Sequence, residues 1–125
     1  MLSEDVTRYG RDAMSRSFPE SDWRIFRELR PRALERLCEL VLNEISTVSG
    51  EPSKTFHERY LAIYELVARR NEDVARTFDN PRRSQEFFQL AAMKSFGLLK
   101  PEELSRFSRD TLEIIGKLTE VNEPE

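Results

Sequence analysis

FHERYLAIYELVARRNEDVARTF, residues 56–78, decides the fold. An α-helix advances about 100° per residue, and on that wheel Phe56, Tyr60, Ile63, Tyr64, Val67, Val74 and Phe78 share one arc of roughly 100°. Leu61, Ala68 and Ala75 widen the apolar face, while Glu58, Glu65, Arg69, Glu72 and Arg76 take the opposite side. A face that broad needs more than one neighbouring helix to cover it. Ser53, behind the turn Gly50-Glu51-Pro52, supplies an N-cap, and Asp79-Asn80-Pro81 supplies a stop, so the expected helix is 54–78.

Upstream, Leu34, Leu37, Cys38, Val41, Leu42, Ile45 and Val48 form a second apolar stripe. Pro31 suits the first position of a helix, which places one over 31–48 and a separate short one, anchored by Trp23, Phe26 and Leu29, over 22–29. The short connection between 48 and 54 implies an antiparallel hairpin. Downstream, Asn80-Pro81 opens a third long helix over 81–96, closed by Gly97 in the left-handed C′ position with Leu98 packing back. Its apolar residues surround it: Phe87, Leu90 and Ala91 on one side, Phe88, Ala92 and Phe96 on another, Met93 on a third. Such a helix is either central or shared with a second subunit. Short helices near 101–106 and 109–120, the latter capped by Ser108, complete an all-α bundle in which Phe107, Ile114, Ile115, Leu118 and Val121 point inward. Residues 1–20 read as a loosely ordered arm, 21–121 as a single helical domain and 122–125 as a frayed tail.

The 125 residues are 38% hydrophobic, enough for one core. Twenty basic against 23 acidic residues leave a net charge of −3, which exerts no global pull on nucleic acid or an anionic membrane. Cys38 is the only cysteine, so no disulfide forms within the chain, and the expected location is cytoplasmic. No run reaches the ~20 apolar residues of a membrane span, and the charged N-terminus is unlike a secretory signal.

His57 is the only histidine. With Cys38 it exhausts the imidazole and thiolate ligands, so neither a zinc cluster nor a Glu-x-x-His di-iron set can be assembled, and no cofactor or metal is implied. Cys38 lies in an apolar stripe, where burial would keep its thiol protonated, so a Cys–His nucleophile pair is disfavoured. No phosphate loop, nucleophile elbow or metalloprotease motif occurs, and no catalytic residue is assigned. The polar exception on the 56–78 stripe is Asn71, whose amide would need a partner if buried. With Tyr60, Tyr64 and the edge residue His57 it outlines a candidate small-molecule pocket. Arg24, Arg27, Arg30, Arg32 and Arg36, interleaved with Trp23 and Phe26, form the densest basic run and a candidate nucleic-acid surface, partly cancelled by Glu28 and Glu35.

The stretch Asp22-Trp23-Arg24-Ile25-Phe26-Arg27-Glu28-Leu29-Arg30-Pro31, with Arg59-Tyr60, Gly97-Leu98-Leu99, Glu102-Glu103-Leu104 and Phe107-Ser108, resembles small bacterial all-helical proteins of unassigned function. The resemblance covers about residues 20–115; it implies a bacterial origin and a compact helical fold, and it assigns no activity or site residue. The expected function is therefore a non-catalytic helical interaction protein that self-associates through Phe88, Ala92 and Phe96. Small-molecule binding near Tyr60, Tyr64 and Asn71 is the alternative, and nucleic-acid binding through Arg24 to Arg36 the third reading.

Overall fold

Pro31 does not end a helix. The structure, a computed structural model, describes residues 18–79 and 86–122, the last three by backbone alone, and in it α1 runs unbroken from Glu20 to Ser49 with Pro31 inside. A mid-helix proline removes one backbone bond and costs about 3 kcal/mol. Here Pro31 is on the exposed side, where water can reach the Arg27 carbonyl it releases. The opposite side is one buried stripe: Asp22, Phe26, Leu29, Ala33 and Leu37 follow one another at steps of three or four straight past the proline. The burial of that stripe outweighs the local break.

α2 (Phe56–Phe78) returns antiparallel to α1. It starts two residues later than expected, because the cap is Thr55 rather than Ser53. The Thr55 hydroxyl accepts from the Glu58 N–H at 3.1 Å while the Glu58 carboxylate accepts from the Thr55 N–H at 2.8 Å. Ser53 instead bonds Glu51 within the turn. Arg59 donates to the Ser49 carbonyl, Arg70 bonds Glu44 at 2.9 Å, and Arg30 donates to the Phe78 carbonyl, so polar contacts recur along the whole seam.

α3 (Glu86–Ser95) ends as the sequence predicts, with Gly97 at φ +71°. The Leu98 N–H reaches the Met93 carbonyl and the Gly97 N–H the Lys94 carbonyl, and both Leu98 and Met93 are buried. α4 is the single turn Pro101–Leu104, and α5 (Arg109–Asn122) packs on α3. The described residues thus form an all-α fold of five helices. Of the arm expected over 1–20, residues 1–17 lie outside the described residues, while Phe18 is buried in the core and Glu20 already opens α1. The opening of the third helix at Asn80-Pro81 and residues 123–125 of the tail expected over 122–125 also lie outside them, and Asn122 closes α5.

The core joins the first half of α1 to the end of α2 and to α3, α4 and α5 around Phe26, Leu37, Phe78, Phe87, Met93 and Ile115. α3 is central to it: Phe87, Leu90, Ala91 and Met93 are all buried. Between Leu42 and Asp73 no residue belongs to this core, and buried Leu66 closes only the α1–α2 seam. Among the described residues the upper halves of α1 and α2, the C-terminal half of the first and the N-terminal half of the second, therefore form a two-helix hairpin outside this core.

Arg36 clamps α1 to the loop after α3. It donates to the Leu98 carbonyl at 2.8 Å and grips Glu103 through both carboxylate oxygens at 2.6 and 3.1 Å, while Glu103 also accepts the Lys100 N–H. The Arg36 hydrogen bonds, helped by the Lys100 N–H and the nearby positive charges, outweigh burial and lower the Glu103 carboxyl from 4.5 to about 2. A depressed folded-state value stabilises the fold above the ordinary carboxylate range and is lost as pH falls toward 2. Glu103→Gln is therefore expected to lose about 2 kcal/mol at pH 7, discounted for the solvent that reaches Arg36, and the gap to the wild type should close near pH 2. Urea unfolding at the two pH values measures this, and a gap independent of pH would refute the ion-pair account.

Candidate interaction surface

Arg59 sits over the Phe56 ring at 5.0 Å, yet Phe56 is 84% exposed, and one and two turns on Tyr60 and Tyr64 are 66% and 68% exposed. Val67 and Leu61 are exposed as well, and across the seam on α1 so are Leu42 and Cys38. The stripe expected to face the core is thus largely open. α2 meets α1 through Arg59, Leu66 and Arg70, on the flank of that stripe rather than its centre. The apolar face is wider than one neighbour can cover, and at this height α1 is the only helix of the described residues beside it.

Both helices turn their open positions to the same side. At about 100° per residue, Leu42 on α1 and Tyr60 and Tyr64 on α2 lie roughly a third of a turn past the seam in the same rotational sense, and two antiparallel helices bring equal rotations to one side. The other side is independently marked by a shallow groove of about 460 Å³ lined by Glu44, Thr47, Glu65 and Arg69 from both helices. One side of the hairpin is therefore charged. The other carries aromatic rings.

On the aromatic side α2 offers Phe56, Tyr60, Tyr64, Val67, Ala68 and Asn71 without an intervening Asp, Glu, Lys or Arg. Asn71 is exposed, so water satisfies its amide and the cost expected for a buried one does not arise. His57 is exposed in the first turn of α2. Tyr60, Tyr64, Asn71 and His57 share this surface and are all exposed, where the expectation has them lining a pocket, and among the described residues none closes over them. Cys38, expected inside its stripe, is exposed for the same reason.

The residues expected to mediate self-association are less open. Phe88 is 42% exposed, and Ala92 and Phe96 are half-buried, Phe96 lying under the Arg70 guanidinium at 6.0 Å. The basic run is dispersed into structural bonds. Arg36 holds Glu103, Arg30 holds the Phe78 carbonyl, and Arg27 stacks over Trp23 at 5.8 Å. Arg32 lies 3.8 Å from Glu103, Arg106 pairs with Glu28 beside it, and Arg24 is exposed. Phosphates would have to compete with these acceptors.

No protein-family model, curated protein or solved structure matches the chain. The surface is thus read from its own chemistry. Among the described residues no His, Cys, Asp and Glu side chains gather into a group able to hold a metal ion, and no helix is long and apolar enough to cross a membrane. Sequence periodicity finds Phe56, Tyr60 and Tyr64 as one face but gives that face to the interior, and it passes over Leu42 as interface. The available signal is a mismatch: a wide apolar arc on α2 with one sequence-adjacent helix to cover it.

Proposed function

We propose that this is a non-catalytic helical interaction protein whose recognition surface is the aromatic side of the α1–α2 hairpin. One observation carries the reading: Phe56, Tyr60 and Tyr64 are 84%, 66% and 68% exposed along one helix face, with the Arg59 guanidinium over the Phe56 ring at its start. With Leu42 and Val67 they present on the order of 600 Å² of mainly apolar residue surface, tyrosine hydroxyls included, at the top of the range for the largest patch on an ordinary monomer. Aromatic rings in a continuous patch characterise the centres of protein interfaces. The base of the molecule spends its apolar residues on its own core, so the hairpin is free to engage a partner without disturbing the fold.

Small-molecule binding draws no support from Tyr60, Tyr64 and Asn71, which lack enclosure. A site-specific cross-link tests the interaction reading. With the photoreactive p-benzoylphenylalanine in place of Tyr64, irradiation of cells expressing the full chain should give a protein adduct, absent when the same residue replaces exposed Glu113 on α5. No adduct from position 64, or equal adducts from both, would overturn the reading.

A further inference from the structure

We propose that the partner is a second copy of this chain, docked hairpin to hairpin about a two-fold axis to complete a four-helix bundle. This rests on the interaction reading above and names its partner. An antiparallel pair of helices with apolar residues of both on one side is half of such a bundle. The lower half of the molecule already has its third and fourth layers in α3 and α5, whereas the upper half has none among the described residues.

Two features favour a copy of the same surface. A two-fold contact is isologous, so each residue near the axis meets itself or a close neighbour, and a charge there would meet a like charge. The Phe56 to Asn71 face of α2 carries no acid, and the cation beside it, Arg59 over the Phe56 ring, lies in the first turn of α2 away from Tyr64, while the far side of the hairpin is lined by Glu44, Glu65 and Arg69. The second feature is area. An open apolar surface on the order of 600 Å², enlarged by its polar rim, approaches the ~800 Å² that each partner buries in a standard interface. Among the described residues the α3 surface around Phe88 offers less: Phe88 is 42% exposed and its neighbours Ala92 and Phe96 are half-buried.

Light scattering or sedimentation equilibrium of the full chain at about 50 µM is expected to give twice the monomer mass. Tyr60→Glu with Tyr64→Glu sets four carboxylates at the dimer centre and should raise the dissociation constant at least ~100-fold. Helix content should be kept, since both side chains are mostly in water in the monomer. Phe88→Glu should leave the dimer intact. A monomeric wild type, a dimer broken by Phe88→Glu but not by the tyrosine variant, or a cross-link at monomer mass from position 64 to residues 1–17 would each overturn the second copy. A position-64 adduct to a different protein would overturn it too while sustaining the interaction reading, and loss of all adducts would remove both.

Discussion

Asp22→Ala is expected to lower the unfolding free energy by about 3 kcal/mol and the melting temperature by roughly 10 °C. Asp22 is 1% exposed in the first turn of α1, and its carboxylate accepts the Ser108 N–H at 2.9 Å, the Ser108 hydroxyl at 2.6 Å and the Thr111 hydroxyl at 2.5 Å. Ser108 and Thr111 bracket the first turn of α5. Through these three bonds one acid ties the two helix starts together, across 86 residues of sequence for Ser108. Charge-assisted bonds to a carboxylate are about twice as strong as neutral ones, and alanine would take the acceptor from three donors, of which the Thr111 hydroxyl is buried. Asn keeps one acceptor oxygen and should recover about half of the loss. A cycle combining Asp22→Ala with Thr111→Val should then show a coupling of about 1 kcal/mol, because both changes remove the same bond. Urea unfolding followed by circular dichroism measures the wild type and all four variants; an Asp22→Ala cost below about 1 kcal/mol would mean that water replaces the network.

The helical class and the ends of several helices are legible in the sequence because they rest on local chemistry. Gly97 takes the left-handed conformation without the steric cost a side chain would add, and Leu98 follows onto Met93. The Thr55–Glu58 capping box is also local, and the Ser53 expectation overlooks its second half, the acid three residues on. Pro31 is instructive in the other direction. Read alone it ends a helix, but Phe26, Leu29, Ala33 and Leu37 keep their phase across it, and an unbroken phase means an unbroken helix when the proline faces water. Tertiary partners are where local reading stops. A helical wheel shows that Tyr60 and Tyr64 share a face but contains no term for whether another helix stands over it. The Arg36–Glu103 and Asp22–Ser108 bonds likewise join segments too distant for any spacing rule, so the arginines of α1 read as a basic patch until their acceptors are known.

Phe87→Ala and Tyr64→Ala, two aromatic truncations, are expected to separate base from hairpin. Phe87 is 1% exposed and stands edge-on to Phe18 at 4.9 Å, and Phe18 in turn meets Phe26 at 6.1 Å. Removing that ring leaves a cavity at the centre of the core and deprives Phe18 of a ring partner, for a cost of about 4 kcal/mol. Tyr64→Ala removes a side chain already 68% in water, and below the concentration at which copies associate it should cost less than about 0.5 kcal/mol. At higher concentration the proposed second copy would add a mass-action term, so Tyr64→Ala is expected to acquire a penalty that grows with protein concentration while the Phe87→Ala penalty remains. Unfolding midpoints over a hundredfold dilution series resolve the two behaviours. A concentration-independent Tyr64→Ala loss as large as that of Phe87→Ala would show the hairpin's aromatic side to be packed within the single chain, and the proposed recognition surface would then be part of its own core.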